Sequence, residues 1–162
     1  MPIQFATDPS MTGDVRMRVL DNDGLEQQII NEELDSFIEV EWKITGPHFW
    51  AYALNDSVWR VRIGVESFGP AREHAFPPAG QPIHTVNARD FDSVDVATQT
   101  VSWKTQVRVP DDVYDADVVY KPAAAIDFKV DSAIPALVVQ VAGFAEGDIF
   151  QTREDPDEPA GN

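Results

Sequence analysis

The sequence predicts an all-β protein, an antiparallel sandwich of Greek-key type with about seven to nine strands and little helix. Three observations predict it. Apolar and polar residues alternate over several segments, and Gly, Pro, Asn and Asp separate those segments at short intervals. Long irregular connections over 46–57, 77–82 and 110–117 also suit crossings between two layers.

In order along the chain, Val15, Met17 and Val19 alternate with Arg16 and Arg18. Asp21-Asn22-Asp23-Gly24 then predicts a turn, with Gly24 free to take a positive φ. Residues 25–34 fit either a short helix face built on Leu25, Ile29, Ile30 and Leu34 or a returning strand followed by a loop. Three strands follow that are strongly marked. Ile38, Val40, Trp42 and Ile44 alternate with Glu39, Glu41 and Lys43 up to Gly46-Pro47. Trp59, Val61, Ile63 and Val65 alternate with Arg60, Arg62 and Glu66 up to Gly69-Pro70, and Val101, Trp103, Thr105, Val107 and Val109 form the third set. Each places one Trp and several β-branched residues on one face, the expected spine of the core.

Weaker strands are predicted over 72–76 and 83–91, as partners across the loop Pro77-Pro78-Ala79-Gly80-Gln81-Pro82. A strand is also expected over 118–130, starting near an edge or bulge because of Pro122. Residues 137–142 are apolar enough to lie between layers, with Gly143 and Gly147 marking bends before a final strand over 148–152. Residues 1–153 are expected to form a single domain, and 154–162 a disordered acidic tail.

Composition bounds the function. Twenty-eight Asp and Glu oppose twelve Lys and Arg, a formal net charge of −16. Such a surface repels phosphate backbones and anionic lipids, so neither nucleic acid nor membrane is expected as a partner. Scarce lysine (43, 104, 121 and 129) suits a salty cytoplasm as well as an acidic interaction surface. No cysteine occurs, which removes disulfides, thiolate catalysis and Cys-ligated zinc. The opening residues lack the basic and apolar regions of a signal peptide, and no apolar run reaches about eighteen residues. A cytoplasmic location is the expectation.

Four segments together carry a resemblance: Glu41-Trp42-Lys43-Ile44-Thr45-Gly46-Pro47, Trp59-Arg60-Val61-Arg62, Glu66-Ser67-Phe68-Gly69-Pro70 and Gly143-Phe144-Ala145-Glu146-Gly147. They resemble a set of small bacterial all-β proteins. The likeness spans 36–152, implies one compact domain and brings no activity with it.

Candidate chemistry is sparse. His48, His74 and His84 are the three histidines. If 72–76 and 83–91 pair, His74 and His84 could meet beside Glu73, two imidazoles and a carboxylate of the kind that holds zinc or non-haem iron. Against this, the spacing matches no metal motif, and surface histidines on an edge hairpin are the simpler expectation. Asp111, Asp112, Asp115 and Asp117 crowd one loop and supply the oxygens a calcium ion needs. A solvated acidic turn explains the same pattern. There is no Gly-x-Ser-x-Gly elbow, no Walker pattern and no dinucleotide fingerprint, so no catalytic residue and no cofactor is expected.

The most distinctive segment is His48-Phe49-Trp50-Ala51-Tyr52-Ala53-Leu54, between two firm strands. Connections usually run over the surface and are polar. Three aromatics here either plug the end of the sandwich or present a contact patch, since Trp and Tyr are enriched in binding hot spots. In an extended segment Trp50 and Tyr52 would share one face, with Phe49 and Ala51 on the other. The expected function is a non-catalytic interaction or structural module that binds another protein or self-assembles through loops and edge strands. Its contact candidates are His48, Phe49, Trp50 and Tyr52, with the acidic loop as a second. A small-ligand or calcium-binding domain is the alternative, and an enzyme using carboxylates or a histidine metal site the third.

Overall fold

Alternation of apolar side chains does build the long strands, and they lie in two layers. The structure is a computed structural model that describes residues 1–6, 8–54, 56–129 and 141–154. In chain order its elements are β1 (Ile3–Phe5), β2 (Thr12–Leu20), β3 (Ile29–Asn31), β4 (Ser36–Thr45), α1 (Phe49–Ala53), β5 (Val58–Ser67), β6 (His74–Phe76), β7 (His84–Asn87), β8 (Ser93–Asp95), β9 (Thr100–Val109), β10 (Val119–Lys129), β11 (Val141–Glu146) and β12 (Phe150–Arg153).

The smaller sheet runs β2-β4-β9-β8, antiparallel throughout. The larger is built on β5 and β10, which pair antiparallel from Tyr120↔Ser67 to Lys129↔Val58. Both flanks of this ribbon are split. β11 and β12 follow one another along β10, and β6 and β7 follow one another along β5. β1 adds to β11, and β3 adds to β12 in parallel.

Trp42 and Trp103 face one another across β4 and β9, their rings stacked at 6.4 Å. Trp59, from the opposite sheet, lies 5.7 Å from Trp42 and 5.1 Å from Trp103. All three are fully buried. Large aromatic area removed from water at the junction of the layers is what holds the sheets together. The Trp103 indole N–H donates to the Ala88 carbonyl at 2.9 Å, tying the start of the β7–β8 connection to the core.

The outward face of the smaller sheet carries cross-strand charge rows. In one, Arg18, Glu39 and Gln106 lie side by side, and Glu39 is buried beneath its neighbours. Arg18 Nε and Gln106 Nε2 donate to its two oxygens at 2.7 and 2.9 Å.

Several expectations change. Of the two alternatives for residues 25–34 the structure takes the strand and loop, with β3 in place of a helix. Strands β6 and β7 do not form a hairpin. Each pairs with β5, because the proline-rich connection carries the chain along the sheet edge and does not turn it back. Connections 46–57 and 110–117 do pass between sheets, as does 88–92, while 77–82 stays on the edge of β5. Gly143 is no bend: β11 runs through it to Glu146. The expected strand at 137–142 lies outside the described residues up to 140, as does the tail from 155. The described strands number twelve, above the expected range, because three-residue strands are too short to show a period.

Candidate functional site

The aromatic segment begins at a forced glycine. Gly46 has φ +149°, and a Cβ there would lie 2.5 Å from Met11 Sδ and 2.8 Å from the Ser10 carbonyl oxygen. The chain then closes a single helical turn, with Phe49 N–H donating to the Gly46 carbonyl and Leu54 N–H to that of Trp50. Helical period now decides which aromatics are hidden. Phe49, Tyr52 and Ala53 are buried, whereas Trp50 is 38% and Leu54 52% exposed. The extended geometry in which Trp50 and Tyr52 share a face is therefore corrected: a turn of about 3.6 residues sends them to opposite sides. The segment both plugs the end of the sandwich and displays an indole.

Asp8 locks the plug from the N-terminal side. Its carboxylate accepts from Ser10 Oγ at 2.6 Å and Tyr52 Oη at 3.2 Å, and lies 3.0 Å from His48 Nδ1. The Ser10 bond, helped by His48 and Tyr52, holds the Asp8 carboxyl below its ordinary value against the effect of burial. Burial and the Asp8 charge push the Tyr52 phenol up, so it stays a donor. His48 itself remains exposed.

The displayed indole is fixed by two rings. Trp50 packs on Phe49 at 5.0 Å, and meets Phe91 at 6.4 Å with the planes 73° apart. Phe91 is half-buried, and its chain neighbours Asp90 and Asp92 are exposed. Arg89 is paired with Asp56 at 2.9 Å. No pattern in the sequence singles out Phe91, because its role depends on a connection that meets α1 only in the fold.

The acidic loop is organised by its backbone. Asp111 N–H donates to Asp35 Oδ1, Asp112 N–H to the Glu32 carbonyl, Asp115 N–H to Tyr120 Oη and Asp117 N–H to the Thr152 carbonyl. Asp112 and Asp117 take φ of +61° and +57°, a conformation Asp tolerates better than most residues. The side chains of Asp111, Asp112 and Asp117 face solvent. Among the described residues no three His, Asp or Glu side chains are grouped so as to hold a metal ion. The loop's anchor is Tyr114, buried against Tyr120 at 5.0 Å and Phe150 at 5.3 Å, which the run of acids concealed. Burial and repulsion from Asp112, Glu33, Glu154 and Asp115 raise the Glu32 carboxyl above its ordinary value.

His74 and His84 do not meet. His74 sits opposite Val65 and His84 opposite Val61, successive stations along one edge of β5. They instead line one cleft of about 690 Å³ between the sheets, with Phe76, Pro82, Val107 and Arg108. His84 Nε2 lies 2.6 Å from Thr105 Oγ1 across the layers. His74 packs against Tyr114 and Tyr120, and its buried Nε2 has no hydrogen-bond partner among the described residues. Burial lowers the affinity of both imidazoles for a proton.

No helix among the described residues is long and apolar enough to cross a membrane. Comparison with protein-family models, curated proteins and solved structures finds no match to this chain.

Proposed function

We propose that the chain is a non-catalytic interaction module, which binds another protein or a second copy of itself through its loops and edge strands. One observation carries this reading: the exposed Trp50, held rigid by Phe49 and Phe91 on a turn whose other side is buried. Rigid aromatic area at the surface is what interfaces use as an anchor, because little side-chain freedom is lost on binding. The module works without nucleic-acid or membrane partners, a reading supported by the charge of −16. Trp50→Ala tests it. A melting curve within about 2 °C of the parent is expected, together with loss of self-association in sedimentation or of partner capture. Global unfolding, or unchanged association, would remove the proposal's anchor.

The cleft beside His74 and His84 supports a second reading, a small-ligand binder, since its volume lies in the range of ligand pockets. Val107→Trp would narrow it with an added ring. A ligand bound there would lose affinity in that variant and retain it in Trp50→Ala.

A further inference from the structure

We infer that the corner formed by Trp50 and Phe91 receives a lysine or arginine side chain from a basic segment of a protein partner. This rests on the reading of Trp50 as a contact and names what it contacts. The two rings meet edge to face with their planes 73° apart, and Trp50 is 38% exposed beside the half-buried Phe91, so a group seated on the exposed indole lies next to the second ring. Aromatic faces carry negative potential and attract cations placed within about 6 Å of the ring centre. The surroundings have the same sign. Asp90 and Asp92 flank Phe91 and are exposed, and the neighbouring cation, Arg89, is already paired with Asp56. Leu54 lies four residues beyond Trp50 on the same side of the turn, where it offers apolar surface to the methylene stem of a long cationic side chain. A second copy is disfavoured at this end, because two chains of charge −16 would bring carboxylates together.

Hexa-arginine peptide titrated into the full chain at about 0.15 M salt tests the inference. Trp50 is the one tryptophan of four with exposed surface, and its indole N–H resonance, identified by its absence in Trp50→Leu, reports the site. Binding is expected to shift that resonance. Trp50→Leu and Phe91→Leu, which leave charge unchanged, should each weaken the affinity about fivefold, as expected for a cation on an aromatic face. Asp112→Asn, at the distant acidic loop, should change it less than about twofold, the effect of one screened charge. Melting curves for each variant separate lost contact from lost fold, with Trp50→Phe, which keeps a ring, as the milder replacement. Equal affinity in parent and Trp50→Leu would overturn the inference, leaving only general attraction to an acidic surface. If hexa-arginine leaves Trp50 undisturbed while Trp50→Ala still abolishes association, the cation site is wrong and the interaction module stands. If the peptide binds at Trp50 while association is indifferent to Trp50→Ala, the module reading is the one that fails.

Discussion

A methyl group added at Gly143 would lie 2.6 Å from Val15 Cγ2 and 3.0 Å from Ile3 Cγ1, inside a contact between the two sheets. A methyl at Gly64, on the outward face of β5, would meet nothing within 4 Å. Gly143→Ala is therefore expected to cost about 1 to 3 kcal/mol, the usual penalty for overpacking. Gly64→Ala should stabilise by about 0.5 to 1 kcal/mol, because glycine is a poor strand residue. Urea unfolding of the two variants checks both signs. The tryptophans give a larger effect. Truncating Trp42, Trp59 or Trp103 to Ala should cost about 3 to 5 kcal/mol, and a loss below about 1 kcal/mol at two of them would show the triad to be dispensable. These three were legible in the sequence because alternation alone assigns them a face. Gly143 was not: its constraint comes from Ile3 and Val15, and no local pattern announces their approach. The same holds for Phe91 and Tyr114, which pack on Trp50 and Phe150, both remote in the chain.

Among the elements, long strands declare themselves by period and short ones by nothing but their partners. β2, β4, β5, β9 and β10 were readable for that reason, whereas β1, β3 and β8 have three residues each. The helical turn at 49–53 is not legible in the sequence, because five residues show no helical period, and Gly46 and the buried side fix its geometry. Along β9, β8 covers Thr100 to Ser102, and no other strand among the described residues pairs with that edge. Lys104 and Arg108 point outward along the remainder with Gln106 between them, and the two charges are guards of the kind that discourage edge-to-edge aggregation. The Arg18–Glu39–Gln106 row also gives the smaller sheet a pH dependence. Burial alone would raise the Glu39 carboxyl, but bonds from Arg18 and Gln106 outweigh it and hold the group below its ordinary value. Its contribution is thus complete above the unfolded value, near pH 4.3, and is lost as pH falls through the lower folded value. Glu39→Gln is expected to flatten the fall of Tm on the acid side below about pH 5. An acid limb identical to the parent's would show the row to be energetically silent.

At the scale of the molecule, charge opposes compactness. Self-repulsion of a −16 surface is relieved by screening, so sodium chloride between about 0.01 and 0.5 M should raise Tm by roughly 3 to 6 °C. Calcium at matched ionic strength should add nothing, since the carboxylates of 111–117 do not converge. A calcium-specific rise lost in Asp112→Asn would instead put an ion in that loop. The position of β10 has a consequence in time. Among the described residues it is the last of the long strands to be synthesised, yet it sits between β5 and β11 at the centre of its sheet. By Val109 the ribosome has supplied every described strand of the smaller sheet, while β5 still lacks its long neighbour. A nascent chain at that stage carries Trp42, Trp59 and Trp103 with one layer incomplete, a sticky intermediate of the sort chaperones hold. Chains stopped after Val109 should then lack a cooperative melting transition and bind a hydrophobic dye, whereas chains extended through β12 should bury the same indoles.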